Sequence, residues 1–335
     1  MFEETSLADQ LGELLVGQSE AIEEIIPFIE AHLSGLAPEG RPAGVAMLLG
    51  ASGSGKTHTV EALAEILHGS NRNVLRVDCG ELQQDHEIAK LIGSPPGYLG
   101  HRETVPILTQ FNLSAVSSEN CDLSLLLFDE IEKASLALSR LLFGILDKAT
   151  CRLGDNTKVN FERCLIFMTS NLAEDKIMRA LRPNFGFEAG IVKPLDPKTL
   201  KAIALHELRK KFGTPFVNRL DTAITYQPLT REHCDWILTE ILNEAGRLIV
   251  RRRGVRAFRL GVTAMARKLL LDLGTNIEFG ARELKRTVER NFLRPVAVMT
   301  QRGLVSPGSL VMLDARDGQF TVQRFSGEIR AASGS

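Results

Sequence analysis

The 335-residue sequence predicts an α/β protein. Its first part is a three-layer module with a parallel sheet covered on both faces, and a smaller, mainly helical domain with a short carboxyl-terminal hairpin follows. Three observations carry this. Compact apolar runs ending in glycine or polar residues alternate with amphipathic helical stretches. One of those runs leads directly into GASGSGKT (50–57). After about residue 230, apolar stripes at helical spacing replace the alternation. The expected divisions are an α/β domain over 1–229, a helical domain over 230–326 and a disordered tail over 327–335.

From Ser19 to Ser34, Ile22, Ile25, Ile26, Ile29 and Leu33 recur at helical spacing, with Pro27 expected to bend or interrupt the helix. The polar stretch APEGRPAG separates this helix from VAMLLG, which reads as a buried parallel strand ending at Gly50. HTVEALAEILHG reads as a helix, NVLRVDCG as a strand and 84–91 as a short helical stretch. GSPPGYLG (93–100) is too rich in proline and glycine for a helix interior or central strand, yet it carries one of only two tyrosines. LSLLLFDE (123–130) is the strongest strand signal, followed by a helix over 131–149. RCLIFMTSN (163–171) and TAITYQPL (222–229) supply further strands. Beyond them, REHCDWILTEILNEAGRLIV, TAMARKLLLDLG and ARELKRTVERNFLRPVAVMTQRG read as helices, one of them starting near GVT (261–263). SLVMLDARDGQFTVQRF reads as a hairpin turning at RDGQ.

With 40 basic and 41 acidic residues, no global field favours nucleic acid, and RRRGVRAFR (251–259) reads as a solvated connector. The five cysteines, at 79, 121, 151, 164 and 234, form no C-x-x-C and read as reduced interior residues of a cytoplasmic protein. No apolar run reaches membrane-spanning length, and MFEETSLADQ is unlike a signal peptide.

GASGSGKT fits the phosphate-loop pattern and lies between an expected strand and an expected helix, where that pattern works. Gly50, Gly53 and Gly55 let backbone N–H groups converge on phosphate oxygens. Lys56 reaches the β- and γ-phosphates, and the Thr57 hydroxyl suits Mg²⁺. Ser52, Ser54 and His58 complete the candidate nucleotide contacts. Asp129 and Glu130 close the most apolar strand: Asp129 suits the Mg²⁺ shell, and Glu130 suits polarising a water for attack on the γ-phosphate. Both also suit capping the next helix. Asn171, at the end of IFMTSN, serves equally well to hold that water or sense the γ-phosphate, or to cap LAEDKIMRAL. Spacing alone does not choose, and it leaves NRLD (218–221) a polar loop.

Taken together, the chain resembles the AAA+ ATPases, and within them the second ATPase module of the Clp ring unfoldases and disaggregases. The resemblance is carried by VGQSEAI (16–22), RPAGVAMLLGASGSGKT (41–57), LIGSPPGYLG (91–100), LLLFDEIEKA (125–134), 141–172, FVNRLD (216–221), QPLTREH (227–233) and FGARELKR (279–286), and it spans about residue 10 to 325. It implies an ATP- and Mg²⁺-dependent ATPase that remodels proteins as a ring, expected to be a hexamer. Val16 and Gly17 would line the adenine pocket, and Asn171 would be the first sensor of nucleotide state. Arg219 would be the arginine finger reaching the neighbouring subunit's γ-phosphate, in preference to a surface ion pair with Asp221. Arg282 would be the second sensor, and 147–163 the hairpin preceding the first sensor. Tyr98 and Leu99 would sit in the pore loop that grips unfolded or tagged polypeptide.

The chain also departs from the family pattern. The family's amino-terminal domain and first ATPase ring do not fit before Val16, so the chain reads as an excised module or a single-ring protein, and adaptor use is not carried over. HRETVPILTQFNLSAVSSENCDLS lacks the glycine pair that usually follows the pore loop, and Ser135 replaces a histidine. These changes bear on threading more than on hydrolysis, and leave an ATP-dependent switch acting on a partner complex as the alternative. Phe185, Gly186 and Phe187 resemble the short loop by which some members dock a Clp-type peptidase, although two phenylalanines near a domain junction also suit local core.

Overall fold

The structure, a computed structural model, describes residues 6–94, 105–174, 176, 196–275 and 280–325. The chain divides into two compact units, Met1–Gln227 and Pro228–Ser335.

In the first unit, β1 (Gly44–Leu49), β2 (Leu75–Asp78), β3 (Ser124–Asp129), β6 (Cys164–Ser170) and β7 (Thr222–Thr225) form one parallel sheet in the order β2-β3-β6-β1-β7. The apolar runs are continuous because both faces are covered, and successive side chains enter opposite layers. Val45, Met47 and Leu49 join one core with Leu126, Phe128, Ile166 and Met168, against α6 (Leu136–Lys148) and α7 (Pro197–Phe212). Ala46 and Leu48 join the other with Leu125, Leu127, Leu165 and Phe167, against α1 (Leu7–Leu14), α2 (Ser19–Leu33) and α3 (Lys56–His68). The three-layer arrangement expected from the alternation is what the chain adopts.

Two local expectations are corrected. Pro27 does not interrupt α2, which runs unbroken from Ser19 to Leu33, with Pro27 and Glu23, whose carbonyl a proline at 27 leaves without its helical donor, both on the exposed face. The helix expected over 131–149 is split. Glu130 adopts a left-handed conformation (φ 57°), a single tight turn spans Ile131–Lys133, and α6 begins at Leu136. Ser135 N–H instead donates to Leu82 O at 2.8 Å, tying this turn to the segment after β2. The stretch before β6 is a two-stranded antiparallel hairpin, β4 (Thr150–Arg152) with β5 (Lys158–Asn160).

In the second unit, α9 (Arg231–Arg253), α10 (Ala264–Gly274), α11 (Gly280–Val288) and α12 (Arg294–Gln301) enclose a core of Leu238, Leu270, Leu284, Phe292 and Leu313. The expected hairpin is present as β9 (Leu310–Arg316) and β10 (Gln319–Phe325), turning at Asp317 and Gly318, both with positive φ. GVT does not start a helix. Arg259–Val262 form β8, parallel to β9, and Thr263 caps α10 by accepting the Ala266 N–H at 3.2 Å. A parallel partner twelve or more residues away in sequence leaves no short-range signal.

All five cysteines are buried and free. Among the described residues no helix is long and apolar enough to cross a membrane.

Candidate functional site

The site lies beyond the carboxyl ends of the parallel strands, where this sheet order opens a crevice. Gly50 leaves β1 at φ 153°, and a Cβ there would stand 2.9 Å from Tyr226 Cβ, so the loop turns close against Tyr226. Gly55, at φ 107°, has open space where a Cβ would project and starts α3. Helix N-terminus and turned backbone together present N–H groups to an anion.

Lys56 is 7% exposed. Its Nζ donates to Gly50 O and Ala51 O, both at 2.8 Å, and to Asn171 Oδ1 at 2.7 Å. The lysine therefore spans the phosphate loop and the end of β6. Thr57 Oγ1 donates to Asp129 Oδ1 at 3.3 Å, bringing together the two residues expected at a metal. Thr169 Oγ1 donates to the same carboxylate oxygen at 2.5 Å and accepts the Glu130 N–H at 2.9 Å. Glu130 pairs with Lys133 at 2.5 Å, and that hydrogen bond raises the lysine pKa. Arg76, on β2, pairs with Asp129 Oδ2 and lies 3.7 Å from Glu61. Glu132 Oε1 accepts the Asn171 N–H at 3.1 Å. Burial first, then the carboxylates of Asp129, Asp78, Glu132 and Glu130, push the Cys79 thiol well above its ordinary range. The ends of β2 and β3 thus gather several carboxylates around Cys79, two of them paired with Arg76 and Lys133.

Several contributors carry no motif. Gln18, 5% exposed, donates through Nε2 to Ser54 O at 3.2 Å and to Gln227 O at 3.0 Å, and accepts the Gln227 N–H at 3.1 Å. It fastens Val16 and Gly17 (φ 72°) to the loop, while His58 Nε2 approaches Leu14 O at 3.3 Å. Tyr226 is 2% exposed, and its hydroxyl lies 2.6 Å from Thr59 Oγ1. Thr169 follows the Phe128–Met168 pair, so the strand register sets it beside Asp129. Only that register, invisible in a one-dimensional pattern, would have found it.

Ser52 N–H donates to Glu174 Oε1 at 3.1 Å. Ser54 Oγ is buried with no hydrogen-bond partner among the described residues, as is Glu132 Oε2. An orphaned hydroxyl beside turned glycines, an oxygen pair at Thr57 and Asp129, and a buried ammonium fit a polyphosphate with a hard divalent cation.

Arg219 is held elsewhere in this unit. Its Nε donates to Asp147 Oδ1 at 2.7 Å, its guanidinium donates to Pro215 O at 2.6 Å, and it lies 4.6 Å from the Phe143 ring centroid. Asp221, weighed as its alternative partner, instead pairs with Arg41 at 3.2 Å and accepts the Val45 N–H at 2.9 Å. Arg282 lies on the exposed face of α11 in the second unit. Tyr98, Leu99, Phe185, Gly186 and Phe187 lie outside the described residues.

Residues 41–223 match the family described as AAA domain (Cdc48 subfamily), and residues 229–313 match the C-terminal, D2-small domain of ClpB protein. Chaperone protein ClpB of Vibrio cholerae is 32% identical over 94% of this chain and 34% of its own length. The negative regulator of genetic competence ClpC/MecB of Bacillus subtilis is 28% identical over 92% of this chain and 36% of its own. The chain thus spans about a third of the length of these relatives. A solved structure of Hsp104 with ATPγS and FITC casein, in a closed state, superposes with a TM-score of 0.78 at 25% identity, covering 95% of this chain and 51% of that one. With its phosphate loop, acidic strand end and both matched regions in family order, the chain belongs to the AAA+ ATPases as a Clp-type ATPase module.

Proposed function

We propose that the protein hydrolyses ATP and uses the cycle to remodel other proteins as a ring, with an α/β ATPase domain over 1–229 and a helical lid over 230–326. The observation that carries this is the convergence of Lys56, Asn171, Thr57 and Asp129 at one strand-end crevice. The Clp-type relatives support the remodelling part of the reading.

In this reading, amides of 52–58 and the Lys56 ammonium hold the polyphosphate, while Val16 and Gly17 flank the base. A magnesium ion, when bound by Thr57 and Asp129, would neutralise charge on the phosphates. Glu130, the left-handed residue that follows β3, accepts the proton of the attacking water once it is released from Lys133. Asn171 orients that water. Arg219 serves a neighbouring subunit's site, consistent with its contacts being to α6 and to Pro215 O. Arg282 brings the helical domain onto the nucleotide, and Tyr98 grips the polypeptide.

An ATP-driven unfolding assay on a tagged fluorescent protein tests this, with wild type, Glu130→Gln and Tyr98→Ala side by side. Glu130→Gln should bind ATP yet lose turnover by about 100-fold, and Tyr98→Ala should keep basal turnover while losing unfolding. Turnover without unfolding in the wild type, stimulated by a partner complex alone, would favour the switch.

A further inference from the structure

Glu174 stands just past Asn171, in the turn that leaves β6. Its backbone N–H donates to Asn171 O at 2.9 Å, which fixes that turn, and its Oε1 accepts the Ser52 N–H at 3.1 Å. Ser52 is the third residue of GASGSGKT, a loop whose amides receive phosphate oxygens. The chain's own carboxylate therefore occupies a donor of the phosphate-binding backbone. Among the described residues no lysine or arginine is ion-paired with Glu174, whose one side-chain hydrogen bond there is to the Ser52 amide.

Its location is also specific. Lys56 Nζ bonds both Ala51 O and Asn171 Oδ1, so the Ala51–Ser52 end of the loop lies beside the end of β6. That is the side on which a phosphate-loop lysine reaches the β- and γ-phosphates, as opposed to the α3 end. An anion fixed there opposes an added terminal phosphate more than it opposes a diphosphate. The two compete for one amide, and their like charges repel in a partly buried crevice.

We propose that Glu174 is an internal competitor for the terminal phosphate, setting the preference of this site between a nucleoside triphosphate and a diphosphate. The inference rests on the nucleotide-site reading above. Glu174 acts as a gate on binding and takes no part in the chemical step.

The test is calorimetric titration of the full chain with ATP and with ADP in EDTA, which removes metal and turnover from the comparison. Wild type, Glu174→Gln and Glu174→Ala are compared. Loss of a charge-assisted contact of this kind corresponds to roughly a tenfold change. Both substitutions should tighten ATP by about that factor and ADP distinctly less. Hydrogen exchange at the Ser52 amide without nucleotide should also rise in Glu174→Ala. An ATP-to-ADP affinity ratio that stays at the wild-type value, or unchanged Ser52 exchange, would overturn the proposal while leaving the nucleotide site intact. Failure of all three proteins to bind either nucleotide would overturn both readings.

Discussion

The Lys56 ammonium and Asn171 Oδ1 lie 2.7 Å apart, joining the phosphate loop to the end of a strand more than a hundred residues later. Two backbone carbonyls hold the same ammonium, so the loop keeps its anchor without the asparagine. Asn171→Ala should therefore leave nucleotide affinity within a few-fold of wild type while turnover falls at least about tenfold. Parallel losses of both would assign Asn171 to loop architecture and remove it from the chemistry. Steady-state kinetics beside equilibrium titration separates the two.

Arg219 touches Asp147, Pro215 O and Phe143, and its side chain is 30% exposed. A partly exposed ion pair of this kind contributes under about 1 kcal/mol, so Arg219→Ala should fold and bind ATP. Its turnover should collapse. Mixing it with Glu130→Gln chains should restore part of the activity, because each chain supplies what its neighbour lacks. No recovery in mixed samples would argue against action in trans.

Tyr226 and Thr59 share a 2.6 Å hydrogen bond in full burial, beneath the loop that Gly50 opens. Burial also drives the phenol pKa above its ordinary range, so it stays protonated and available as a donor. Tyr226→Phe should lower unfolding free energy by about 1 kcal/mol in urea titration. Thr59 retains its bond to Gly55 O at 3.1 Å, so the penalty stays at that level.

His68, the last residue of α3, has its pKa lowered by burial, partly offset by the backbone of Leu123. The folded form favours the neutral ring, whereas the unfolded chain protonates near pH 6.5. Stability from this group is present above about pH 6.5 and is lost as pH falls from there through the depressed folded value. Denaturant titrations across that window should show the acid-side decline, and His68→Gln should flatten it. An identical slope in the variant would remove His68 as the cause.

Much of the site was legible because its parts are local. GASGSGKT needs only eight consecutive residues to announce a phosphate loop, and FDE needs only the apolar run before it. The hairpin at β9–β10 was legible for the same reason, with Asp317 and Gly318 supplying left-handed turn residues between alternating strands. Gln18, Arg76, Thr169, Glu174 and Tyr226 were not. Each is an ordinary residue in its own segment, and each matters through a partner between 36 and 167 positions away.

The sequence by itself determined the layers, since uninterrupted apolar runs bounded by glycine and carboxylates have no stable place except a sheet covered on both faces. It also determined which groups bear phosphate chemistry. Only the tertiary structure decided that β6 separates β1 from β3, and hence that Thr169 and Asn171 meet Asp129 and Lys56. It alone broke the helix after Glu130 and set β8 beside β9. Strand order and side-chain pairing depend on long-range packing, which no short window of sequence encodes. That packing also set a carboxylate, Glu174, on the amide of Ser52.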